Sequence, residues 1–244
     1  MKDILNTIFV GLIFGLFMIL SILLFIPYWF LRLPGLETQF FNFTHWATSF
    51  WGRFIFTIDR CRMTVTGLEN IPDHSRIIYI ANHQGYADIP FLMANLPSTI
   101  GYIAKKELKK VPILGLWMIA LHCIFVDRGN FRKAMRAIET GIIEADKGFP
   151  KVIFPEGTRS RGEKMAAFKP GSILLAAKAG ITIVPLTLNG TYKMFEEKKK
   201  ITPAPLQLTI HPPIETKVMS EEDKKGLNDR LWTIIAGGLP NKGE

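Results

Sequence analysis

Residues 76–95 read RIIYIANHQGYADIPFLMAN, and this stretch contains one complete strand-to-helix unit. After its first residue the run Arg76–Ala81 is wholly apolar, which is typical of a strand covered on both faces. Asp88–Asn95 has helical length, and its leading carboxylate suits the first turn of a helix. Between the two, Gly85 allows the backbone to bend tightly. A strand that leads through a short loop into a helix is the repeating unit of α/β proteins.

The same change, from a short strand-like run to a stretch of helical length, recurs along the chain beyond residue 58. Short apolar runs indicate strands, and stretches of helical length separate several of them. The alternation predicts an α/β domain over residues 58–244, with a mostly parallel sheet flanked by helices. The other predicted strands are Arg62–Thr66, Ile100–Ala104, Ile124–Val126, Val152–Phe154, Thr182–Thr187 and Gln207–Ile210, and the other predicted helices are Pro112–Ala120, Arg132–Ala145, Gly171–Ala179 and Ser220–Ile235.

The N-terminal part of the chain is apolar rather than alternating. Ile4–Leu31 contains no charged residue, and as a helix it would be about 42 Å long, against about 30 Å for the hydrocarbon core of a bilayer. Pro27 should kink this helix, and Leu33–Gly35 should form a turn. A second uncharged stretch, Thr38–Gly52, is rich in Phe and Trp but too polar to span a bilayer, which suits the headgroup region.

Residues 1–57 therefore predict a membrane anchor of two apolar helices. Two arrangements stay open at this point. The first helix could span the bilayer while the second lies at the interface, or the two could form a hairpin that enters one leaflet. Either arrangement makes the lipid bilayer a partner of the protein.

Composition excludes several classes of protein. The 244 residues are 48% hydrophobic, which excludes a disordered chain. Two cysteines exclude a disulfide framework and a paired-cysteine zinc site. The net charge is +9, and nearly all of it belongs to residues 58–244. A basic domain of this kind predicts an anionic partner: a nucleic acid, a membrane surface or a phosphorylated metabolite.

Charged and polar side chains follow four of the predicted strands. The strand exits carry His83, Lys105, Arg128 and the loop Glu156–Ser160. Parallel strands end at the same edge of a sheet, and ligands usually bind outside that edge. The sequence therefore predicts an acid–base site beside a pocket for an anion.

His83 and Asp88 are the candidates for the acid–base chemistry. A carboxylate bonded to one ring nitrogen of a histidine fixes its tautomer and leaves the other nitrogen free to accept a proton. Such a histidine suits the removal of a proton from an alcohol. The structural alternative is that Asp88 only favours its own helix N-terminus and that His83 is an ordinary polar loop residue.

Other chemistries have weaker support. The sequence has no G-x-S-x-G elbow and no H-E-x-x-H metal motif, and Cys123 is interpreted as buried packing. Gly157–Gly162 has the spacing of a phosphate loop but lacks the Lys-Ser/Thr that a nucleotide site requires. Arg128 and Arg159 suit phosphate oxygens, although a single arginine more often forms a structural ion pair. The charged run Glu196–Lys200 predicts a solvated loop.

Taken together, five blocks of the sequence resemble the glycerolipid acyltransferases, specifically the bacterial 1-acyl-sn-glycerol-3-phosphate acyltransferase type. They occur in the order found in that family and together cover under half of the chain. The combination of N-H-x4-D with F-P-E-G-T-R-S makes the resemblance highly specific. The blocks are Asn82-His83-x4-Asp88, Ala104-Lys105-Lys106-Glu107-Leu108, Phe125-Val126-Asp127-Arg128, Phe154-Pro155-Glu156-Gly157-Thr158-Arg159-Ser160 and Val184-Pro185.

The resemblance implies transfer of a fatty acyl group from an acyl thioester to the 2-hydroxyl of lysophosphatidic acid, which yields phosphatidic acid. His83 would take the proton of that hydroxyl and Asp88 would orient His83, so that no acyl-enzyme is needed. A further set of residues would bind the acceptor phosphate, with Arg159 as its main ligand. This substrate-binding set is Arg159, Gly157, Glu156, Lys105 and Arg128.

The resemblance also implies the partners and the location. Acyl-CoA or acyl carrier protein would be a co-substrate, and neither a metal nor another cofactor is expected. The catalytic domain would lie on the cytoplasmic face of the cell membrane, and no nucleic acid would bind. Two alternatives stay open: the same chemistry on glycerol-3-phosphate or another lysophospholipid, and a membrane protein that binds phospholipid without catalysis.

Overall fold

The computed structural model describes residues 2–127 and 129–240, in which strands and helices alternate after an N-terminal helical region. The strands are β1 (Arg62–Thr66), β2 (Ile77–Ala81), β3 (Gly101–Lys105), β4 (Ile124–Val126), β5 (Lys151–Ile153), β6 (Thr182–Asn189) and β7 (Pro205–Ile210). The helices are α1 (Lys2–Leu20), α2 (Phe25–Leu31), α3 (Glu37–Ile58), α4 (Asp88–Asn95), α5 (Leu114–Ala120), α6 (Phe131–Asp146), α7 (Pro170–Lys178) and α8 (Glu221–Gly237).

The strands form one sheet in the order β1-β7-β6-β2-β5-β3-β4. Five neighbouring strands, from β6 to β4, are parallel, and β7 pairs with β6 in the antiparallel sense. The prediction of a mostly parallel sheet flanked by helices is confirmed. The exits of β2, β5 and β6 lie side by side because these three strands are neighbours in the sheet. The sequence predicts the candidate site at this edge of the sheet.

Strand β2 is buried on both faces, as its apolar sequence predicts. Tyr79 and Ala81 pack with Phe91 of α4 on one side of the sheet. Ile78 and Ile80 pack on the other side with residues of α6, α7 and α8. Successive side chains of a strand point to opposite faces, so β2 anchors both halves of the core and holds the loop after it firmly in place.

The N-terminal anchor differs in detail from the two predicted helices. The first helix is split into α1 and α2 by a 3-10 turn at Ser21–Leu24, which lies before Pro27 rather than at it. A proline lacks the N–H that would bond the carbonyl four residues earlier, and its ring crowds that carbonyl. For Pro27 that carbonyl belongs to Leu23, inside the turn, so the helix breaks upstream of the proline. The second helix, α3, is longer than the predicted Thr38–Gly52.

The anchor helices pack against each other and against the α/β domain. Phe17 of α1 stacks on Phe54 of α3, with 5.3 Å between ring centroids. Helix α3 in turn lies on α4, where Ser49 Oγ donates to the Met93 carbonyl at 2.9 Å. Gly52 permits this close approach, because a Cβ at that position would lie 2.5 Å from the Pro90 carbonyl oxygen.

Polar contacts tie both ends of the first helical segment to the domain. Near its start, Asn6 Nδ2 donates to the Ile201 carbonyl at 3.0 Å. Near the break, Ser21 Oγ accepts a hydrogen bond of 2.9 Å from Trp117 Nε1. The outward side of the segment is apolar and exposed, and Asp3–Leu31 is long and apolar enough to cross a membrane. The exposed large apolar residues there are Ile4, Leu5, Ile8, Phe9, Leu12, Phe14, Leu16, Ile19, Leu20, Ile22, Leu23, Ile26, Trp29 and Phe30.

Candidate active site

His83 and Asp88 form a close pair at the exit of β2. His83 Nδ1 lies 2.7 Å from Asp88 Oδ2. The Asp88 side chain is fully buried, whereas 15% of the His83 side chain is exposed. With Nδ1 bonded to the carboxylate, Nε2 is the nitrogen available to accept a proton. The histidine is therefore both oriented and accessible.

The backbone of the turn fixes the Asp88 carboxylate. Its Oδ2 also accepts hydrogen bonds from the amides of Gln84, at 2.7 Å, and Gly85, at 3.0 Å. Its Oδ1 accepts a hydrogen bond from the Thr191 hydroxyl. A buried carboxylate is costly unless such donors surround it, so the turn after β2 is built around this one side chain.

Two further contacts hold His83 from the side of β5. The Phe154 ring stacks on the imidazole, with 4.0 Å between ring centroids and 16° between ring planes. Glu156 Oε1 accepts a hydrogen bond of 2.7 Å from the His83 amide. The imidazole thus has a ring on one side and a carboxylate on Nδ1, which restricts its rotation.

Glu156 connects the loop after β5 to the loop after β2. Its second oxygen, Oε2, accepts a hydrogen bond of 2.8 Å from the Ala166 amide, and its side chain is 3% exposed. Burial raises the pKa of Glu156 above its usual value, while the two amide hydrogen bonds act in the opposite direction. The backbone amides of Ser160 and Arg161 donate to the carbonyls of His83 and Gln84. Glu156 therefore shapes the site through backbone contacts.

Gly157 adopts a backbone conformation that favours glycine, with φ of +73°. A Cβ at this position would lie 2.8 Å from Lys169 Nζ. The glycine thus lets the ammonium group of Lys169 come close to the backbone of the loop. A cation therefore lies beside Gly157, a member of the predicted substrate-binding set.

Arg159 lies in the same loop and has two partners. Its guanidinium is 3.0 Å from Glu196 Oε1, and its Cζ lies 3.6 Å from the centroid of the Tyr86 ring. About a fifth of the Arg159 side chain is exposed. The structure therefore brings Arg159 together with the loop that carries His83.

The structure does not test the other two predicted phosphate ligands, Lys105 and Arg128. Lys105 is exposed, and its ammonium lies 3.7 Å from Glu107. Lys106 pairs with Asp127 at 2.6 Å. Arg128 lies outside the described residues. The substrate-binding roles of Lys105 and Arg128 stay predictions.

Sequence reasoning missed two buried polar residues of the site, Thr191 and Glu196. The prediction of a solvated loop over Glu196–Lys200 is wrong for its first residue, which is 5% exposed. The sequence held a partial signal for Thr191, because Gly190-Thr191 directly follows β6 and ligands bind at the exits of parallel strands. The pairing of β6 with β2, which brings Thr191 to Asp88, is visible only in the structure. Glu196 had no comparable signal, since it begins a charged run.

Asn82, the residue before His83, joins β2 to β6. Its side-chain amide exchanges two hydrogen bonds with the backbone of Leu188, at 2.8 Å and 2.7 Å. A side chain therefore continues the sheet ladder where the β2 backbone turns away. This brings the segment after β6 against the His83 loop.

The thiols of the chain are unsuited to nucleophilic catalysis. Burial raises the pKa of Cys123 to about 12 and that of Cys61 to about 11, and the thiolate is the reactive form. Within residues 2–127 and 129–240 there is no group of three or more His, Cys, Asp or Glu side chains placed to hold a metal ion. The candidate site offers an accessible imidazole and nearby cations.

Comparisons with known proteins show the family to which the chain belongs. Residues 62–189 match the acyltransferase family model. The chain is 33% identical over 180 residues to a 1-acyl-sn-glycerol-3-phosphate acyltransferase of Chlamydomonas reinhardtii, and these residues are 73% of this chain and 53% of the algal protein. It is 32% identical over 179 residues to the enzyme of the same name from Borreliella burgdorferi, covering 73% of this chain and 72% of that one.

A solved structure is similar over nearly the whole chain. It is the crystal structure of the 1-acyl-sn-glycerophosphate (LPA) acyltransferase PlsC from Thermotoga maritima, with a TM-score of 0.85 and 27% identity. The match covers 98% of this chain and 95% of the other. The anchor helices are thus part of the shared architecture. The match of family, sequence and fold shows that the chain belongs to the acyltransferase family, as its five motifs predicted.

Proposed function

We propose that the protein transfers a fatty acyl group from an acyl thioester, on coenzyme A or acyl carrier protein, to the 2-hydroxyl of lysophosphatidic acid. The observation that carries the proposal is the His83–Asp88 pair, 2.7 Å apart and accessible at the sheet edge. The names of the similar proteins support the acceptor, because they are acyltransferases of 1-acyl-sn-glycerol-3-phosphate. The product would be phosphatidic acid.

In the proposed reaction His83 acts as a general base. Nε2 takes the proton of the acceptor hydroxyl while its oxygen attacks the thioester carbonyl, and Asp88 stabilises the resulting imidazolium. The tetrahedral intermediate collapses with breakage of the carbon–sulfur bond. His83 then returns its proton to the departing sulfur, so a thiol leaves and the imidazole is neutral again. No acyl-enzyme forms, in keeping with the unreactive thiols of Cys61 and Cys123.

The acceptor phosphate would bind in the loop after β5. Arg159 is its principal ligand in this proposal, because a guanidinium matches phosphate oxygens in geometry and charge. Glu156 and the turn at Gly157 shape the loop, and Lys169 adds positive charge near Gly157. Lys105 and Arg128 are the further candidate ligands, from the exits of β3 and β4.

The anchor would hold the site at the membrane surface where the acceptor resides. Polar contacts at both ends of the first helical segment favour a hairpin that enters one leaflet over a helix that leaves the domain to span the bilayer. Exposed lysines between β3 and α5 would meet anionic lipid, each contributing about 1 kcal/mol when near the surface. We place the catalytic domain on the cytoplasmic face, where thioester donors are made.

An assay with purified enzyme tests the proposal. Lysophosphatidic acid, glycerol-3-phosphate and lysophosphatidylcholine are offered as acceptors, each with acyl-CoA and acyl carrier protein donors. We expect the highest kcat/KM with lysophosphatidic acid. A preference for another acceptor would keep the chemistry and change the substrate, whereas lipid binding without transfer from any thioester would show a non-catalytic protein.

A further inference from the structure

The segment after β6 places a buried carboxylate beside Arg159. Glu196 Oε1 lies 3.0 Å from the Arg159 guanidinium and accepts a hydrogen bond of 2.8 Å from the Tyr86 amide. The Glu196 side chain is 2% exposed. A carboxylate buried to this extent requires a charged partner and hydrogen bonds. Glu196 therefore depends on Arg159 and connects it to the backbone of the His83 loop.

Tyr86 constrains the guanidinium from a second direction. The 3.6 Å between Arg159 Cζ and the Tyr86 ring centroid is within the range of a cation–π contact. The amide of Tyr86 bonds Glu196 while its ring contacts Arg159. The guanidinium thus lies between two groups. The Tyr86 ring belongs to the His83 loop, and the Glu196 carboxylate accepts a hydrogen bond from that loop.

The Glu196 carboxylate also lies against Gly85, where its second oxygen gains no hydrogen bond. A Cβ at Gly85 would lie 2.5 Å from Glu196 Oε2, so only glycine leaves room for this oxygen. Oε2 is buried, and it has no hydrogen-bond partner within the described ranges 2–127 and 129–240. A buried acceptor without a donor costs stability. The placement of Glu196 is therefore better explained by what it does to Arg159 than by its contribution to the fold.

We propose that Glu196 is a positioning residue for the acceptor. It fixes the Arg159 guanidinium relative to His83, so that one lysophosphatidic acid molecule can place its phosphate on Arg159 and its hydroxyl on the base. The inference rests on the proposed function, in which Arg159 binds the acceptor phosphate. A guanidinium has five N–H donors, so Arg159 can bond Glu196 and a phosphate at the same time.

Steady-state kinetics of a variant series test this role. Glu196→Ala should raise the KM for lysophosphatidic acid about tenfold, the effect of one charge-assisted hydrogen bond. We expect kcat and the KM of the thioester donor to stay within about threefold of wild type. Glu196→Gln should recover most of the loss, because it keeps an oxygen for Tyr86 and Arg159. The exposed neighbour Glu197 carries the same charge, and Glu197→Ala should change nothing.

A double variant separates positioning from a general structural role. If Glu196 acts through Arg159, the double variant Arg159→Ala with Glu196→Ala should have the acceptor KM of Arg159→Ala alone. An unchanged KM in Glu196→Ala, equal losses for both substrates or additive effects in the double variant would overturn the inference. If Glu196→Ala does not fold, Glu196→Met, which keeps the length of the side chain and removes both oxygens, is measured in both backgrounds by the same criteria.

The two proposals fail in different ways. If the wild-type enzyme transfers no acyl group to lysophosphatidic acid, the proposed function is wrong and the role of Glu196 in acceptor binding is wrong with it. If the wild-type enzyme is active and only the Glu196 criteria fail, the proposed function stands and the positioning role alone is overturned.

Discussion

At the scale of single residues, the candidate site consists of His83, the proposed base, and the groups that restrain it. Phe154 stacks on the ring of His83, Asp88 bonds its Nδ1, and Glu156 accepts a hydrogen bond from its backbone amide. The motif containing His83 and Asp88 made that pair predictable because both lie in one short turn. Thr191 was not predictable in the same way, since it lies 103 positions from the Asp88 carboxylate that it contacts.

Removing the Thr191 hydroxyl should weaken catalysis without removing any group that touches substrate. Thr191→Val keeps the shape of the side chain and deprives Asp88 Oδ1 of its donor. We expect kcat to fall about tenfold, as for the loss of one hydrogen bond to a charged group. Thr191→Ser restores a hydroxyl and should recover most of the rate. Equal activity of the Val and Ser variants would show that the hydroxyl has no role.

The hydrogen bonds of Glu156 predict that the protein loses stability when this carboxylate is replaced by an amide. Both of its oxygens accept backbone amides, and Glu156→Gln would turn an N–H donor toward one of them. The unfolding free energy should fall by about 1–3 kcal/mol, the cost of a buried polar group left unpaired. Urea denaturation measures this loss. The exposed Glu139→Gln on α6 is a matched control and should leave stability unchanged, so equal stability of the two variants would contradict the structural role of Glu156.

At the scale of elements, local sequence was sufficient for most strands and insufficient for the first helix. Strands β1 and β4 and helix α4 have their predicted bounds. The alternation of β1, the short apolar run of β4 and the leading carboxylate of α4 are all local signals. The break at Ser21–Leu24 was misplaced because a proline acts on the backbone one turn earlier. The contact of α3 with α4 was also invisible, since it depends on the absence of a side chain at Gly52.

That contact can be tested directly. Gly52→Leu would force α3 away from α4, because a Cβ there already lies 2.5 Å from the Pro90 oxygen. We expect a destabilisation of about 1–3 kcal/mol, typical of an overpacked interface. Gly15→Leu in α1 is the control, since nothing lies within 4 Å of a Cβ at that position. Thermal unfolding in detergent measures both, and equal melting temperatures would contradict the packing of α3 on α4.

At the scale of the whole molecule, the order of the strands brings the site together. The exits of β5 and β6 flank that of β2, so loops distant in sequence meet around His83. The sequence predicted that the exits share an edge but not which of them are neighbours. Which strands are neighbours depends on pairing between segments that are distant in sequence, and a local sequence pattern does not predict that pairing.

The exposed apolar side of the anchor predicts membrane binding. Leu12→Glu combined with Leu16→Glu places two charges on residues that are 69% and 58% exposed. Each buried leucine contributes about 1.5–3 kcal/mol, so binding to anionic vesicles should fall by at least about a hundredfold. Val218→Glu, at an exposed position beside α8, is the control and should bind as wild type. Flotation with vesicles measures the difference, and unchanged binding would contradict a membrane role for this face.

The proposed reaction depends on His83 as the general base of acyl transfer. Its most direct test is the initial rate of transfer to lysophosphatidic acid by His83→Ala, measured beside wild type with the same donor. We predict a loss of about 10²–10⁴-fold from a variant that remains folded, with a lowered melting temperature because the buried Asp88 carboxylate loses one of its hydrogen-bond partners. A rate within about tenfold of wild type, from a folded variant, would contradict the role of His83.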